Sequence, residues 1–131
     1  MPPEDYSVVA PYLYYENAAA AIDWLIEAFG FTERMRITRG DGTVNHGELV
    51  VGDSVIMLGQ PGTDYQSPNS RGGRATAGVH VYIDDVDAHY ERAKAAGAVI
   101  NTEPTDQESG DRRYDCEDIE GHDWFFAQRL G

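Results

Sequence analysis

The feature of this sequence that most restricts its fold is an internal repeat. When the chain is shifted by 68 positions, residues 14–17 (YYEN) align with residues 82–85 (YIDD). The same shift aligns residues 57–60 (MLGQ) with residues 125–128 (FFAQ). Identities are few, but the order of predicted strands and helices agrees throughout. A repeat of this length predicts a duplicated unit whose two copies bury a shared surface.

The repeat also predicts the domain organisation. At 131 residues the chain fits one domain. We expect that domain, residues 1–131, to contain two modules at about residues 7–60 and 78–129. Between them, residues 61–77 are rich in Gly, Ser, Pro and Asn, which favours a mobile linker or lid.

Each module is predicted to contain one helix. In the first module, the apolar spacing indicates a helix over residues 18–29, and Asn17 can cap its N-terminus. In the second module, the equivalent helix covers residues 86–96 and begins after Asp85. Strand-like segments precede and follow both helices, so each module is expected to have the order βαβββ.

The last two strands of each module should form a hairpin. In the first module the turn is predicted at residues 52–53, and in the second a four-residue loop is predicted at residues 118–121. The expected fold class is therefore α+β, with two βαβββ modules that form a curved mixed sheet around a central cleft.

The charge balance argues against polyanionic partners. The formal net charge is −13, from 23 acidic and 10 basic residues. Such a surface repels nucleic acid and anionic lipid and attracts small cations, although acidity can also serve solubility alone. A single cysteine, Cys116, excludes an internal disulfide and fits a reducing compartment. With neither a signal peptide nor a long apolar run in the sequence, we expect a cytoplasmic protein.

Several motifs resemble one superfamily. These are PYLYY at residues 11–15, AFGF at residues 28–31 and HGEL at residues 46–49. The ending GDR at residues 110–112 and DIEGHDW at residues 118–124 is similar too, although Ile119 stands where proline is common. Together they resemble the vicinal oxygen chelate superfamily (glyoxalase, bleomycin-resistance and dioxygenase proteins). HGEL with GDSVIML at residues 52–58 is similar to its PhnB-like subgroup.

The resemblance implies where a metal would bind in metal-using relatives. The four ligand positions of those relatives correspond here to Ala10, Met57, Gly78 and Phe125. None of these side chains is a useful ligand for a hard divalent ion, which needs three or four nitrogen or oxygen donors. We therefore expect no metal and no other cofactor. Members of this fold commonly form dimers, so the resemblance also implies a homodimer.

Alternation along the strands predicts which side chains face the cleft, because successive side chains point to opposite faces of a sheet. Val79 and Val81 should pack under a helix, as should Trp124 and Phe126, while Cys116 should face inward. The predicted ligand-binding residues are Tyr12, Tyr14, His46, Glu48, Met57, His80, Tyr82, Arg112, Tyr114 and Phe125. Rigid aromatic rings in such a set would stack on a planar ligand, although they could also be ordinary core-filling residues.

Three polar residues of this set leave alternatives open. His46, Glu48 and His80 could form a displaced metal site or a hydrogen-bonded polar patch, or Glu48 could hold a cationic ligand group. Arg112 could bind an anionic group or pair with Glu48. Cys116 has no visible base partner, so we predict no catalytic residue there.

The predicted function is metal-independent binding, or sequestration, of a small aromatic natural product that can carry a positive charge. The resemblance implies the model, since bleomycin-resistance-type proteins are acidic, metal-free binders. We thus expect a ligand-binding protein rather than an enzyme. The alternative is a glyoxalase-like lyase or isomerase, with or without a displaced metal site. A third possibility is an interaction module with a vestigial pocket.

Overall fold

A computed structural model describes residues 2–131 and divides the chain into two compact units, Met1–Ser67 and Pro68–Gly131. The division falls within the segment that the sequence predicts as a linker. Each unit contains one βαβββ module, which confirms the predicted α+β class. Within residues 2–131, no helix combines the length and the apolar character needed to cross a bilayer.

The first unit is a four-stranded mixed sheet with one long helix. Its elements are β1 (Tyr12–Tyr14), α1 (Ala18–Phe29), β2 (Thr32–Thr38), β3 (Val44–Val51) and β4 (Ser54–Gly59). The strand order is β1-β4-β3-β2; β1 runs parallel to β4, and the other pairs are antiparallel.

The helix α1 is defined at both ends by local chemistry. The Asn17 side chain accepts a hydrogen bond from the Ala20 amide at 3.1 Å, as an N-cap should. At the other end Gly30 adopts φ 76°, a left-handed conformation that glycine reaches without strain. The sequence therefore contained the information for both ends.

One face of the first sheet packs against α1. Ile22, Leu25, Leu49 and Leu58 are fully buried there, and burying each such side chain contributes roughly 1.5–3 kcal/mol. Helix and sheet approach so closely that a Cβ on Gly47 would lie 2.6 Å from Ile22 Cδ1. The other residues of the strands alternate to the opposite face, which we call the open face of the first sheet.

The second unit repeats the arrangement. It contains α2 (Pro68–Arg71), β5 (Gly78–Tyr82), α3 (Val86–Ala95), β6 (Val99–Asp106), β7 (Asp111–Glu117) and β8 (Asp123–Arg129). The strand order is β5-β8-β7-β6, with β5 parallel to β8. As predicted, Trp124 and Phe126 are fully buried on the helix side, with stacked rings 6.1 Å apart.

The structure corrects one predicted register. Strands β7 and β8 pair Glu117 with Asp123, so five residues rather than four connect them. A one-residue change inverts the faces of a whole strand. Arg112, Tyr114 and Cys116 were therefore wrongly predicted to face inward, since each lies opposite a helix-side residue of β8.

Contacts of these three side chains agree with the corrected register. Tyr114 is fully buried, stacks on Phe126 and shares a hydrogen bond with His89. Arg112 pairs with Asp87 of α3 at 3.1 Å and with Asp106 at 3.0 Å, so acidic side chains of its own unit already bind its guanidinium.

The segment between the modules is more structured than a linker rich in Gly and Ser suggests. Ser67 is buried, and its amide and hydroxyl both donate to the Glu16 carboxylate, at 2.9 and 2.6 Å. Tyr65 donates its hydroxyl proton to the Tyr14 carbonyl at 2.9 Å. These contacts attach the start of the segment to the first unit.

Candidate ligand-binding face of the first module

Three strands bring the predicted residues of the first module together. Met57 of β4 lies beside Tyr12 of β1 in one direction and Glu48 of β3 in the other. These three side chains share the open face, and His46 lies two residues before Glu48 on the same face. The pairing of β1, β3 and β4 thus places these predicted residues on one face of the first sheet, and their contact with a ligand stays a prediction.

Glu48 is the centre of a polar network on this face. Its carboxylate is almost fully buried and accepts hydrogen bonds from the Tyr6 hydroxyl, through Oε1, and from His46 Nε2, through Oε2 at 2.7 Å. Arg34 Nε donates to the Tyr6 oxygen at 3.0 Å and lies 3.6 Å from Glu48 Oε1. We call these four residues, Tyr6, Arg34, His46 and Glu48, the Glu48 network.

The network holds Glu48 in its charged form. Burial by itself raises the pKa of this carboxyl group. The hydrogen bonds from His46 and Tyr6, together with the charge of Arg34, outweigh burial, and the net pKa lies below its usual value. Glu48 is therefore an ionised acceptor whose two oxygens are already occupied by protein donors.

Tyr12 extends the network to the surface. Its hydroxyl lies 2.9 Å from His46 Nδ1, the ring nitrogen that faces away from Glu48. Burial raises the pKa of Tyr12, and the nearby Tyr14 and Glu48 raise it further, so the phenol is neutral at ordinary pH. Because Tyr12 remains 46% exposed, a ligand on the open face can reach it.

Four rings follow one another along this face. The centroid distances are 5.5 Å from His46 to Tyr12, 5.8 Å from Tyr12 to Tyr14, and 5.9 Å from Tyr14 to Tyr65. We call these four residues the aromatic row. The two tyrosine pairs meet edge to face, the geometry that aromatic quadrupoles favour. Tyr14 is 51% exposed, so part of the row is open to a ligand.

Sequence reasoning missed four residues of this face. Met35 and Ile37 of β2 lie opposite Glu48 and His46, and both are exposed. Their alternation in the sequence was a usable signal. Tyr6 and Arg34 gave no such signal. Tyr6 lies before β1 and is separated from Glu48 by 42 positions.

A concave space of about 550 Å³ lies at the hairpin end of the open face, beside Tyr6 and Arg34. The rest of its lining comes from the β3–β4 hairpin and the N-terminal segment: Asp5, Ser7, Val50, Gly52, Asp53, Ser54 and Val55. Its volume is within the range of small-molecule pockets. Asp5 adopts a left-handed φ of 71° there.

The second module carries three of its predicted residues, His80, Tyr82 and Phe125, on the face away from α3. His80 and Tyr82 have rings 5.0 Å apart, and Tyr82 is 61% exposed. The Tyr82 hydroxyl donates to Asp111 at 2.8 Å. This hydrogen bond is the main cause that lowers the pKa of Asp111; burial opposes it, and Arg129, at 3.1 Å, lowers it further.

Phe125 lies on the same face of the second sheet, because its backbone pairs with His80. The Arg113 guanidinium covers the Phe125 ring at 4.5 Å from its centroid and is held by Asp115 at 2.8 Å. A Cβ on Gly78 would lie 2.3 Å from the same ring. The ring thus fills the space that a side chain at position 78 would need.

The residues present do not fit the divalent metal of the metal-using relatives. Of the four implied positions, only Met57 offers a donor atom, a soft thioether, and the Phe125 ring fills the space beside Gly78. The proposed displaced site fits no better. His46 and Glu48 already bond to each other, and residues 2–131 contain no group of three or more His, Cys, Asp or Glu side chains placed to hold a metal.

Comparisons with known proteins agree with the fold. The model of the Glyoxalase/Bleomycin resistance protein/Dioxygenase superfamily matches residues 7–126. An uncharacterized protein of Mycobacterium bovis is 34% identical over 125 residues, which cover 92% of this chain and 82% of the relative. An uncharacterized protein of Mycobacterium tuberculosis has the same identity, with 92% and 73% covered.

Solved structures give the same result. The crystal structure of TioX from Micromonospora sp. ML1 is 34% identical, with a TM-score of 0.75, and the match covers 95% of this chain and 98% of TioX. A superfamily member from Sphaerobacter thermophilus, at 18% identity and a TM-score of 0.70, supports the fold alone, over 94% and 97% of the two chains. The chain therefore belongs to the glyoxalase/bleomycin resistance protein/dioxygenase superfamily.

Proposed function

We propose that this protein binds a small aromatic natural product without a metal and sequesters it, in the manner of bleomycin-resistance-type proteins. The observation that carries the proposal is the aromatic row on the open face of the first sheet. Exposed rings of Tyr12 and Tyr14 offer stacking surface on β1, and exposed Met35 and Ile37 add apolar area on β2, at the other edge of the same sheet. Rigid tyrosines bind planar ligands at a low cost in conformational entropy.

A cationic ligand suits the charge of the protein better than an anionic one. The net charge of −13 attracts cations over the whole surface. Glu48 is a poor direct partner for a ligand cation, because Tyr6 and His46 already occupy its oxygens. We therefore propose that overall charge draws the ligand in and that stacking holds it.

We also propose an oligomeric state and a subgroup for this protein. The motif at residues 46–49 with residues 52–58 supports a PhnB-like member, and we propose that this member is a cytoplasmic homodimer. His80, Tyr82 and Phe125 are proposed as ligand contacts of the second module. Arg112 and Tyr114 are not, since both face α3. Light scattering of the purified protein tests the dimer directly.

The binding proposal is tested with proflavine, a planar aromatic cation, against an anthracene sulfonate of opposite charge. Fluorescence titration should show saturable binding of proflavine that persists at about 0.5 M salt, where non-specific attraction is screened. Tyr14→Leu should weaken the affinity by about two- to tenfold, the value of an aromatic contact. Val99→Ala, at an exposed apolar site of the second module, is the matched control.

Two outcomes would count against the proposal. Binding that disappears with salt would indicate attraction to an acidic surface and no ligand site. Equal affinities of the wild-type and Tyr14→Leu proteins would show that the ligand does not bind at the aromatic row. A lyase or isomerase that uses a displaced metal is the less favoured alternative, because the described residues offer it no ligand set.

A further inference from the structure

Tyr12, His46 and Glu48 form a continuous line of hydrogen bonds from the surface to the interior. Tyr12 is 46% exposed, while the side chains of His46 and Glu48 are 21% and 6% exposed. The two links measure 2.9 Å and 2.7 Å. A chain of this kind joins an accessible hydroxyl to a buried negative charge.

The charge of Glu48 fixes the direction of every proton in this line. An ionised carboxylate can only accept, so His46 Nε2 must carry the proton that it donates to Glu48. In a neutral imidazole the other nitrogen, Nδ1, then has a lone pair and accepts from the Tyr12 hydroxyl. Tyr6 acts at the far end, where its hydroxyl donates to Glu48 and keeps the carboxylate in place.

We propose that Tyr12, His46 and Glu48 form a proton relay that removes a proton from a weakly acidic C–H group of an aromatic compound on the open face. This inference rests on the proposed binding of aromatic compounds there. The Tyr12 oxygen takes the proton of the compound while its own proton moves to His46 Nδ1. The C–H bond breaks, and its electron pair stays on the compound. The charge that develops on His46 is balanced by Glu48, and the imidazolium later releases its proton to water.

The physical reason that such a relay works is electrostatic. A buried carboxylate beside a histidine stabilises the imidazolium that forms and holds the ring in the required tautomer. Tyr12 alone would be a weak base as a neutral phenol, but it can accept a proton when it gives one up in the same step. General-base assistance of this kind typically accelerates proton removal by about 10²–10⁴-fold.

The resting state of the relay is tested without any ligand. Nitrogen-15 NMR of the histidines in the intact protein should show the neutral form of the His46 ring with its proton on Nε2 and none on Nδ1. A His46 that carries its proton on Nδ1 would overturn the relay, because Tyr12 could not then donate to it. This result stands whether or not any aromatic compound binds.

The activity is tested with nitrobenzisoxazole, a flat aromatic compound whose ring opens when a base removes one C–H proton. The electron pair of that bond forms the nitrile, the N–O bond breaks, and a coloured nitrophenolate leaves. We expect the wild-type protein to accelerate the opening by about 100-fold over buffer. Tyr12→Phe and His46→Gln should return the rate to background, while Tyr90→Phe, a tyrosine on α3, should match the wild type.

The outcomes separate the relay from the binding proposal. If Tyr12→Phe is as fast as the wild type, His46 acts without Tyr12 and the relay is wrong. If the nitrophenolate product binds the wild-type protein but the reaction is not accelerated, the relay is also wrong while binding stands. If the product does not bind at all, the proposed binding is weakened, and the NMR result decides the relay.

Discussion

The Phe125 ring lies over Gly78 so closely that a Cβ built on residue 78 would be 2.3 Å from ring atom Cε2. Positions 78 and 125 correspond to metal ligands in relatives. Here they pack against each other, because the Phe125 ring fills the space beside Gly78. Arg113 covers the ring at 4.5 Å. The second module has aromatic packing where metal-using relatives place ligands.

Substituting Gly78→Ala should displace the Phe125 ring and loosen its contact with Arg113. The ring tip can rotate, so we expect a loss of about 1 kcal/mol in the free energy of unfolding, at the low end of overpacking effects. Urea denaturation measures it. Gly73→Ala is the control, because a Cβ there meets nothing within 4 Å. Equal stabilities of the two variants would mean that the ring does not fill this space.

Substituting Glu48→Gln should destabilise the protein in a pH-dependent manner. At neutral pH we expect a cost of about 1–3 kcal/mol, because the Tyr6 and His46 donors lose a charged acceptor. The folded-state pKa of Glu48 is depressed, so its stabilisation is complete above its unfolded pKa of about 4.3 and is lost as the pH falls through the folded pKa.

The difference between Glu48→Gln and the wild type should therefore shrink at a pH of about 3, where the wild-type carboxyl group also begins to be neutral. Urea denaturation at both pH values checks this. Glu103→Gln, on an exposed part of β6, should change stability by less than about 0.5 kcal/mol at either pH. A cost for Glu48→Gln that does not change with pH would contradict the depressed pKa.

Substituting Asp118→Ala should destabilise the last hairpin. One Asp118 oxygen accepts from Trp124 Nε1 at 3.0 Å, and the other accepts from the amides of Glu120 and His122 at 3.0 and 3.1 Å. Because the indole N–H is buried, its loss of a partner should cost about 1–3 kcal/mol. Chemical denaturation measures this cost, with Asp84→Ala at an exposed site as the reference. A cost no larger than that of the reference would show that the loop does not depend on this carboxylate.

The Cys116 thiol should be inert in the folded protein. It is buried, and burial together with nearby carboxylates, of which Asp118 is the strongest influence, raises its pKa well above the usual value. We expect Ellman's reagent to react at least about 100-fold more slowly with the native protein than with the protein in urea. Comparable rates would place the thiol at the surface.

The sequence predicted the fold because the relevant signals are local. Asn17 and Asp85 cap the helices that they were expected to cap, at 3.1 Å in both cases. The open face of the first sheet followed from alternation, since a two-residue turn at residues 52–53 leaves the register of β3 and β4 unambiguous. Local signals of this kind can be recognised in a single sequence.

The faces of β7 could not be predicted with the same rule. His122 belongs to the connection and lengthens it to five residues, which backbone hydrogen bonds from Asp118 to His122 and from Gly121 to Asp118 hold, each 3.0 Å long. Because the connection contains an odd number of residues where an even number was predicted, Tyr114 lies on the opposite face of the sheet. The contacts of Tyr6 could not be predicted, because they join distant parts of the chain and follow no periodic pattern.

The central claim is that the open face of the first sheet binds an aromatic compound by itself, without a metal. The most direct test is a proflavine titration of metal-stripped protein, followed by NMR at the side chains of Tyr12, Tyr14, His46 and Met57 with and without a chelator. We predict shifts concentrated at these residues and an affinity that the chelator does not change. Binding that requires an added divalent ion, or shifts confined to other surfaces, would contradict the account.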